Sequence, residues 1–216
     1  MNNWASEILD GMGTEHYFTN DAQSEYESRT ISATLAGKKV ELITAGGMFS
    51  PEHVDRGTGI LLNKCPLPPK VGNLLDLGCG WGPIALSLAM HSPDATVWAV
   101  DVNDRARELT RTNAERLGLT NIRAVRPEEV PSNLTFAEIW SNPPIRVGKT
   151  VLHEILQTWL PRLDDGCVAQ LVVAKQLGSD SLLKWMNDAL ASYGSTERSY
   201  TEAGFRILTF TRILEP

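Results

Sequence analysis

The strongest chemical signal in the chain is the run Leu75-Asp76-Leu77-Gly78-Cys79-Gly80-Trp81-Gly82. Glycines at alternate positions let a backbone turn tightly and approach a ligand with no Cβ in the way. The spacing is GxGxG, whereas GxGxxG is the fingerprint that seats a dinucleotide pyrophosphate on a helix N-terminus. Asp76, just ahead of the glycines, would repel a diphosphate but can accept a hydrogen bond from an ammonium group. Asp101 closes the next run of β-formers, where a carboxylate can accept from both hydroxyls of a ribose. A ligand with an amino-acid moiety and a ribose but no phosphate suits both carboxylates, and S-adenosylmethionine is that molecule. The plain alternative is a glycine turn that only packs strand on helix.

A second constellation, Ser141-Asn142-Pro143-Pro144-Ile145-Arg146, follows a later strand-like run. Its prolines remove two backbone donors and stiffen the turn. The Asn142 side-chain oxygen and the Pro143 carbonyl are then fixed as acceptors, able to receive both hydrogens of a flat NH2 group. Holding that group out of its conjugated plane aims the nitrogen lone pair at a methyl donor. Such catalysis works by orientation, helped by acceptors placed where positive charge develops. A sulfonium leaving group supplies the chemical drive, so no strong general base is needed. The plain alternative is an ordinary Asn-Pro turn between strand and helix.

These residues need a scaffold, and the pattern from residue 73 onward provides one. Strand-like runs at 73–77, 96–101, 122–126, 136–141 and 167–174 alternate with helical runs at 83–91, 104–117, 149–159 and 179–191. Asn103 suits the cap of the second helix and Gly118 its end. Runs at 196–200 and 205–213 read as a closing hairpin. The expectation is α/β: a Rossmann-like, seven-stranded, mostly parallel sheet with an antiparallel edge strand and helices on both faces. Upstream, 21–35 reads as a short helix, 38–43 and 47–49 as strands about a turn, and 57–64 as a helix. The proline cluster Cys65-Pro66-Leu67-Pro68-Pro69 suggests a division into an N-terminal cap, 1–66, and a main domain, 67–216.

Composition narrows the classes further. At 216 residues the chain can bury a core without disulfides or metal. Cys65, Cys79 and Cys167 form no CxxC pair, and the four histidines show no metal spacing, so no metal is expected. Residues 1–11 contain Glu7 and Asp10 and no apolar run, which argues against a leader peptide, and no stretch is long and apolar enough to span a membrane. The expected location is the cytoplasm. A formal net charge of −6 argues against broad binding to nucleic-acid backbone, though not against a local basic mouth.

The stretch 75–82, Asp101 and Asn142-Pro143-Pro144-Ile145-Arg146-x-Gly148-Lys149 resemble class I S-adenosylmethionine-dependent methyltransferases, and among them the RsmC-like small methyltransferases. His16-Tyr17-Phe18, Gly47-Met48-Phe49-Ser50 and Asp55-x-Gly57-Thr58-x-Ile60-Leu61-Leu62 resemble that family's lead-in. The resemblance implies that Asp76, Gly78, Cys79, Gly80 and Gly82 hold the methionine part of the cofactor. It implies Asp101, Val102 and Asn103 for the ribose and Thr58 for a contact from the cap. Asn142, Pro143 and Pro144 would receive the target amine. Glu128 stands where relatives carry an acidic residue against the adenine, and Ile145 where many carry an aromatic. Phe49 or Phe18 would stack on the target instead. Arg146 and Lys149, joined by Arg56 and Lys175, would position phosphates. Full-length bacterial members carry a second, degenerate copy of the domain ahead of the catalytic one, which these residues do not contain.

The function implied is methylation of the exocyclic N2 of a guanine in small-subunit ribosomal RNA. The acidic charge favours an assembled small ribosomal subunit over naked RNA. Alternatives that keep the cofactor are glutamine amide methylation in a protein and adenine N6 methylation. A non-enzymatic alternative is an RNA- or ribosome-binding module with a relic pocket.

Overall fold

The computed structural model describes residues 28–213. It opens with β1 (Ser28–Leu35) and β2 (Lys38–Ala45), paired antiparallel with Leu35 opposite Lys38. That register leaves Ala36-Gly37 as a two-residue turn, both with positive φ, 49° and 74°. Turns of this hand match the twist of the strands they join.

The hairpin corrects the expected local structure. Residues 28–35 are a strand, not the end of a helix, and its partner is 38–45. Residues 47–49 lie in the bend beyond and form no strand. Thr30, Ile31 and Thr34 are β-branched, and burial alternates through Ile31, Ala33 and Leu35. The rest of the expected helix, 21–27, lies outside the described residues.

Helix α1 (Arg56–Lys64) starts at Asp55, whose side chain accepts from the Gly57 and Thr58 amides. Ile60 and Leu61 of α1 are buried in the core of the main sheet. The regular region follows as β3 (Val71–Leu77), α2 (Pro83–His91), β4 (Asp94–Val100), α3 (Asp104–Arg116), β5 (Ile122–Val125) and β6 (Phe136–Ser141). It continues through α4 (Lys149–Trp159), β7 (Leu163–Ala174), α5 (Ser179–Ala189), β8 (Gly194–Glu202) and β9 (Phe205–Arg212). The spans expected from the sequence agree with these to within a few residues at each end.

The seven strands lie in the order β5-β4-β3-β6-β7-β9-β8. The first five are parallel, and β9 runs antiparallel to both β7 and β8. This is the expected Rossmann-like sheet with an antiparallel edge. Strand order reverses between β3 and β6, the switch point at which open α/β sheets bind ligands.

Side chains of successive strand residues point to opposite faces. Leu75, Leu77, Ile139, Leu171 and Val173 meet α4 and α5. Leu74, Val97, Trp140 and Val172 meet α1 and α2. The hairpin packs outside this layer, where Leu35 and Leu42 join Trp81, Leu86 and Leu109. Among the described residues no helix is long and apolar enough to cross a membrane.

Candidate functional site

The glycine run leaves β3 and enters α2. The Gly78 and Cys79 amides donate to the Val100 carbonyl at 2.8 and 3.1 Å, tying the loop to the end of β4. The Gly80 amide donates to Asp101 Oδ2 at 2.9 Å, and the Asn103 amide to Asp101 Oδ1 at 2.9 Å. From α3, the Thr110 hydroxyl donates to the Gly80 carbonyl at 3.0 Å. Gly82 has φ 98°, and a Cβ there would sit 2.9 Å from Thr110 Oγ1, so both backbone and space require glycine. Gly80 differs, because a Cβ built on it meets nothing within 4 Å. Its empty side faces open space.

Asp76 lies one layer below. It is fully buried, and its Oδ2 accepts from the Ala85 amide at 2.9 Å. Gly82, at the helix start, has no side chain to cap α2, and Asp76 supplies that acceptor from β3. Its other oxygen, Oδ1, is buried with no partner. Burial pushes Asp76 up to about 8. The orphaned oxygen sits beneath the open glycine loop, sealed from solvent.

Above the loop is a cavity of about 460 Å³, within the range of small-molecule sites. Gly78, Cys79 and Gly80 line one side, with Asp101, Val102 and Asn103 at the end of β4. The Asp101 carboxyl faces the cavity with the Gly80 amide on Oδ2 and the Asn103 amide on Oδ1. Burial raises the Asp101 pKa, while the amides of Asn103, Gly80 and Val102 and the Arg107 guanidinium pull it down. Asn103 also caps α3, its side chain accepting from the Arg105 and Ala106 amides.

The opposite wall is Asn142, Pro143, Pro144 and Ile145, after β6. The Asn142 amide nitrogen donates to Asp55 Oδ2 at 3.0 Å and to Thr58 Oγ1 at 3.1 Å. A carboxylate only accepts, so this pairing fixes which end of the amide is nitrogen and leaves Oδ1 as an acceptor. The Pro143 carbonyl accepts from the Ile145 amide at 2.8 Å, which leaves it one lone pair. Ser141 anchors the strand end, its hydroxyl donating to the Leu77 carbonyl at 2.6 Å.

Most residues singled out in the sequence therefore meet around one cavity. Thr58 and Phe49 line it too, and Phe49 is 48% exposed at the rim. Asp76, Gly82, Glu128 and Lys149 are not among the lining residues. Glu128 is exposed in a short turn, and Pro127 lines the cavity in its place. Lys149 is exposed at the start of α4. Arg146 follows Ile145, but its side chain, like Phe18, lies outside what is described. Cys79 is buried, and burial raises its thiol well above the ordinary range, so it packs rather than reacts.

Sequence reasoning missed Asp55, Phe205 and Leu177, which also line the cavity. Asp55 stands only in the lead-in motif, with no role of its own; the cap of a helix is the signal that could have drawn attention to it. Phe205 and Leu177 carry no local motif. Asn113 was missed as well. Fully buried on α3, it donates to the Ile43 and Trp81 carbonyls at 2.8 and 3.0 Å and accepts from the Ile43 amide at 2.7 Å.

Residues 39–209 match the methyltransferase small domain family. The chain is 36% identical over 178 residues to the uncharacterized protein YbxB of Bacillus subtilis, covering 81% of this chain and 89% of that one. It is 29% identical over 171 residues to ribosomal RNA small subunit methyltransferase C of Aeromonas hydrophila, covering 78% of this chain and 48% of the relative. The chain thus spans about half the length of that relative. Among solved structures, the 16S rRNA N2 methyltransferase (RsmC) of T. thermophilus, in complex with AdoMet and guanosine, superposes with a TM-score of 0.73 at 25% identity. The superposition covers 86% of this chain and 50% of that one. A methyltransferase from Pyrococcus furiosus shares the fold, with a TM-score of 0.55 at 21% identity.

Proposed function

From the premise that this chain belongs to the methyltransferase small domain family and is an S-adenosylmethionine-dependent methyltransferase, we propose that it methylates the exocyclic N2 of a guanine in small-subunit ribosomal RNA. The observation that carries the reading is the Asn142 amide. Its nitrogen is held by Asp55 and Thr58, and its oxygen is left to accept from a planar amine in the cavity. The names of the relatives support RNA as the carrier of that amine.

The residues present fit the cofactor. The open side of Gly80 and the Asp101 carboxylate at the end of β4 offer room for a close-lying chain and an acceptor for a ribose, while Asp76 braces the loop from beneath through the Ala85 amide. S-adenosylmethionine, when bound, supplies an electrophilic methyl on a sulfonium. The chain's own groups do the rest. Asn142 Oδ1 and the free lone pair of Pro143 accept the two N–H bonds of the target and turn its nitrogen lone pair out of conjugation. The same two acceptors stabilise positive charge developing on that nitrogen. The rigid proline pair keeps both acceptors in place without reorganisation. Phe49, exposed at the rim, offers the ring that Ile145 lacks for stacking on a base. Arg56, Lys149 and Lys175 are exposed in segments flanking the cavity, where they can meet phosphates.

Methyl-labelled cofactor, offered separately with small ribosomal subunits, stripped RNA and protein extract from cells lacking the gene, tests the proposal. Label is expected in subunit RNA as N2-methylguanine. Label confined to protein would move the reading to amide methylation, and label in N6-methyladenine would move it to adenine.

A further inference from the structure

We infer that Asp55 is a positioning residue for methyl transfer, orienting the Asn142 amide from the first turn of α1; this rests on the reading of Asn142 given above. Asp55 and Asn142 are 87 residues apart, and their bond is a product of tertiary packing. One carboxylate oxygen does two jobs. Asp55 Oδ2 accepts from the Gly57 and Thr58 amides, which caps α1, and from Asn142 Nδ2 at 3.0 Å.

An unconstrained primary amide can rotate by half a turn and exchange its donor and acceptor ends. In the flipped state Asn142 would present N–H groups to the cavity and repel an incoming NH2. Asp55 forbids this state, because flipping would bring an amide oxygen against a carboxylate. Thr58 alone does not, since a hydroxyl can donate as readily as accept. The selective element is therefore the Asp55 oxygen, held as an acceptor by the Gly57 and Thr58 amides, with the Thr58 hydroxyl as a permissive second partner.

The surroundings hold Asp55 where it must be. A Cβ on Gly57 would lie 2.9 Å from a Phe205 ring carbon and 3.0 Å from Asp55 Oδ2. Glycine there lets α1 begin close against β9 without pushing the carboxylate away. Phe205 and Asp55 both line the cavity, so the helix start and the C-terminal strand meet at the amide.

The test separates capping from positioning. Serine caps about as well as aspartate but is one bond shorter, so Asp55→Ser keeps the helix cap and loses the grip on Asn142. Asp55→Asn keeps both an acceptor for the cap and an acceptor for the amide. In 15N-labelled protein, the Asn142 side-chain NH2 pair is identified by its loss in Asn142→Ala. Those signals are expected to shift and broaden in Asp55→Ser and to stay near wild type in Asp55→Asn. Turnover on small ribosomal subunits from gene-deleted cells should fall about 10- to 100-fold in kcat for Asp55→Ser, the effect of one charge-assisted hydrogen bond, with cofactor affinity and KM little changed. Asp55→Asn should recover most of that loss.

An unperturbed Asn142 NH2 pair in Asp55→Ser overturns the inference, as does full turnover in that variant beside an inactive Asn142→Ala. Full turnover in Asn142→Ala overturns the orientation reading itself. Should Asp55→Ser melt far below wild type, Gly57→Ala provides the second test, because it displaces the carboxylate while leaving it present. It is expected to perturb the same NH2 pair.

Discussion

The two loops that face each other across the cavity are built on different principles. The glycine loop is fastened from many sides by Val100, Asp101 and Thr110, which come from the neighbouring strand and helix. The Asn-Pro-Pro turn closes on itself through short bonds from Ile145, Val147 and Gly148. Its one chemically exposed side chain depends on two partners, Asp55 and Thr58. The first loop is over-determined by the fold, while the second is stiff in backbone and held in side chain by those two partners through one nitrogen. Damage to the first should spread into stability, and damage to the second should stay in the chemistry.

Asn142→Ala gives the largest effect and the sharpest test of that contrast. Loss of an acceptor that acts mainly in the transition state is expected to lower kcat about 100-fold or more. Cofactor affinity and melting temperature should not move. A variant that melts early would mean that the turn is as structural as the glycine loop.

Gly82→Ala should do the reverse. A positive φ and a clash with Thr110 predict a loss of roughly 2–3 kcal/mol. A thermal melt should then drop by several degrees, with cofactor binding weakened in step. Unchanged melting would break the comparison from the other side.

Asp101→Ala falls between the two. It removes an acceptor offered to a ribose and releases the Gly80 and Asn103 amides. Cofactor affinity by titration should fall about 10- to 100-fold, with a smaller loss of stability.

Glu138 serves as a control in the sheet, away from both loops. It is 4% exposed, and burial pushes it up to about 7. The unfolded chain releases this proton near the ordinary glutamate value, while the folded chain keeps it until about pH 7. Stability should therefore fall as pH rises from about 4.5 through 7, by on the order of 1–2 kcal/mol after relaxation. Glu138→Gln should flatten that part of a stability-against-pH curve and leave cofactor affinity alone. An unchanged slope would assign it to another group, Asp76 being the first candidate.

Lys149→Ala should have the smallest effect. Lys149 is exposed and does not line the cavity. One phosphate contact predicts a KM change of about threefold on ribosomal subunits at low salt, shrinking as salt rises.

What could be read in advance followed from how local each signal is. The glycine run, the Asn103 cap and the parallel strands repeat within windows of ten or so residues, and they were legible. The hairpin was not, although Ile31, Ala33 and Leu35 alternate. Its turn is Ala36-Gly37, and alanine at a positive φ carries no turn signature. Asp55 was visible only inside a lead-in motif, and its bond to Asn142 exists only because folding carries it there. Asn113 looked like an ordinary helix residue, because a mid-helix asparagine gives no hint of the carbonyls it will meet. Glu128 was placed by analogy, and its neighbour Pro127 reaches the cavity instead.

The position of β9 bears on how the chain is made. β9 emerges last of the described elements, yet it lies inside the sheet between β7 and β8. During synthesis β8 has no sheet partner until β9 has left the ribosome, and β7 exposes a bare edge for the same interval. Phe205, which packs against the start of α1, arrives at that same late moment. A nascent chain stalled before residue 205 would hold the cofactor half of the pocket, an open strand edge and no finished wall beside Asp55. Release of the final strand is then the event that turns a sticky intermediate into an enzyme.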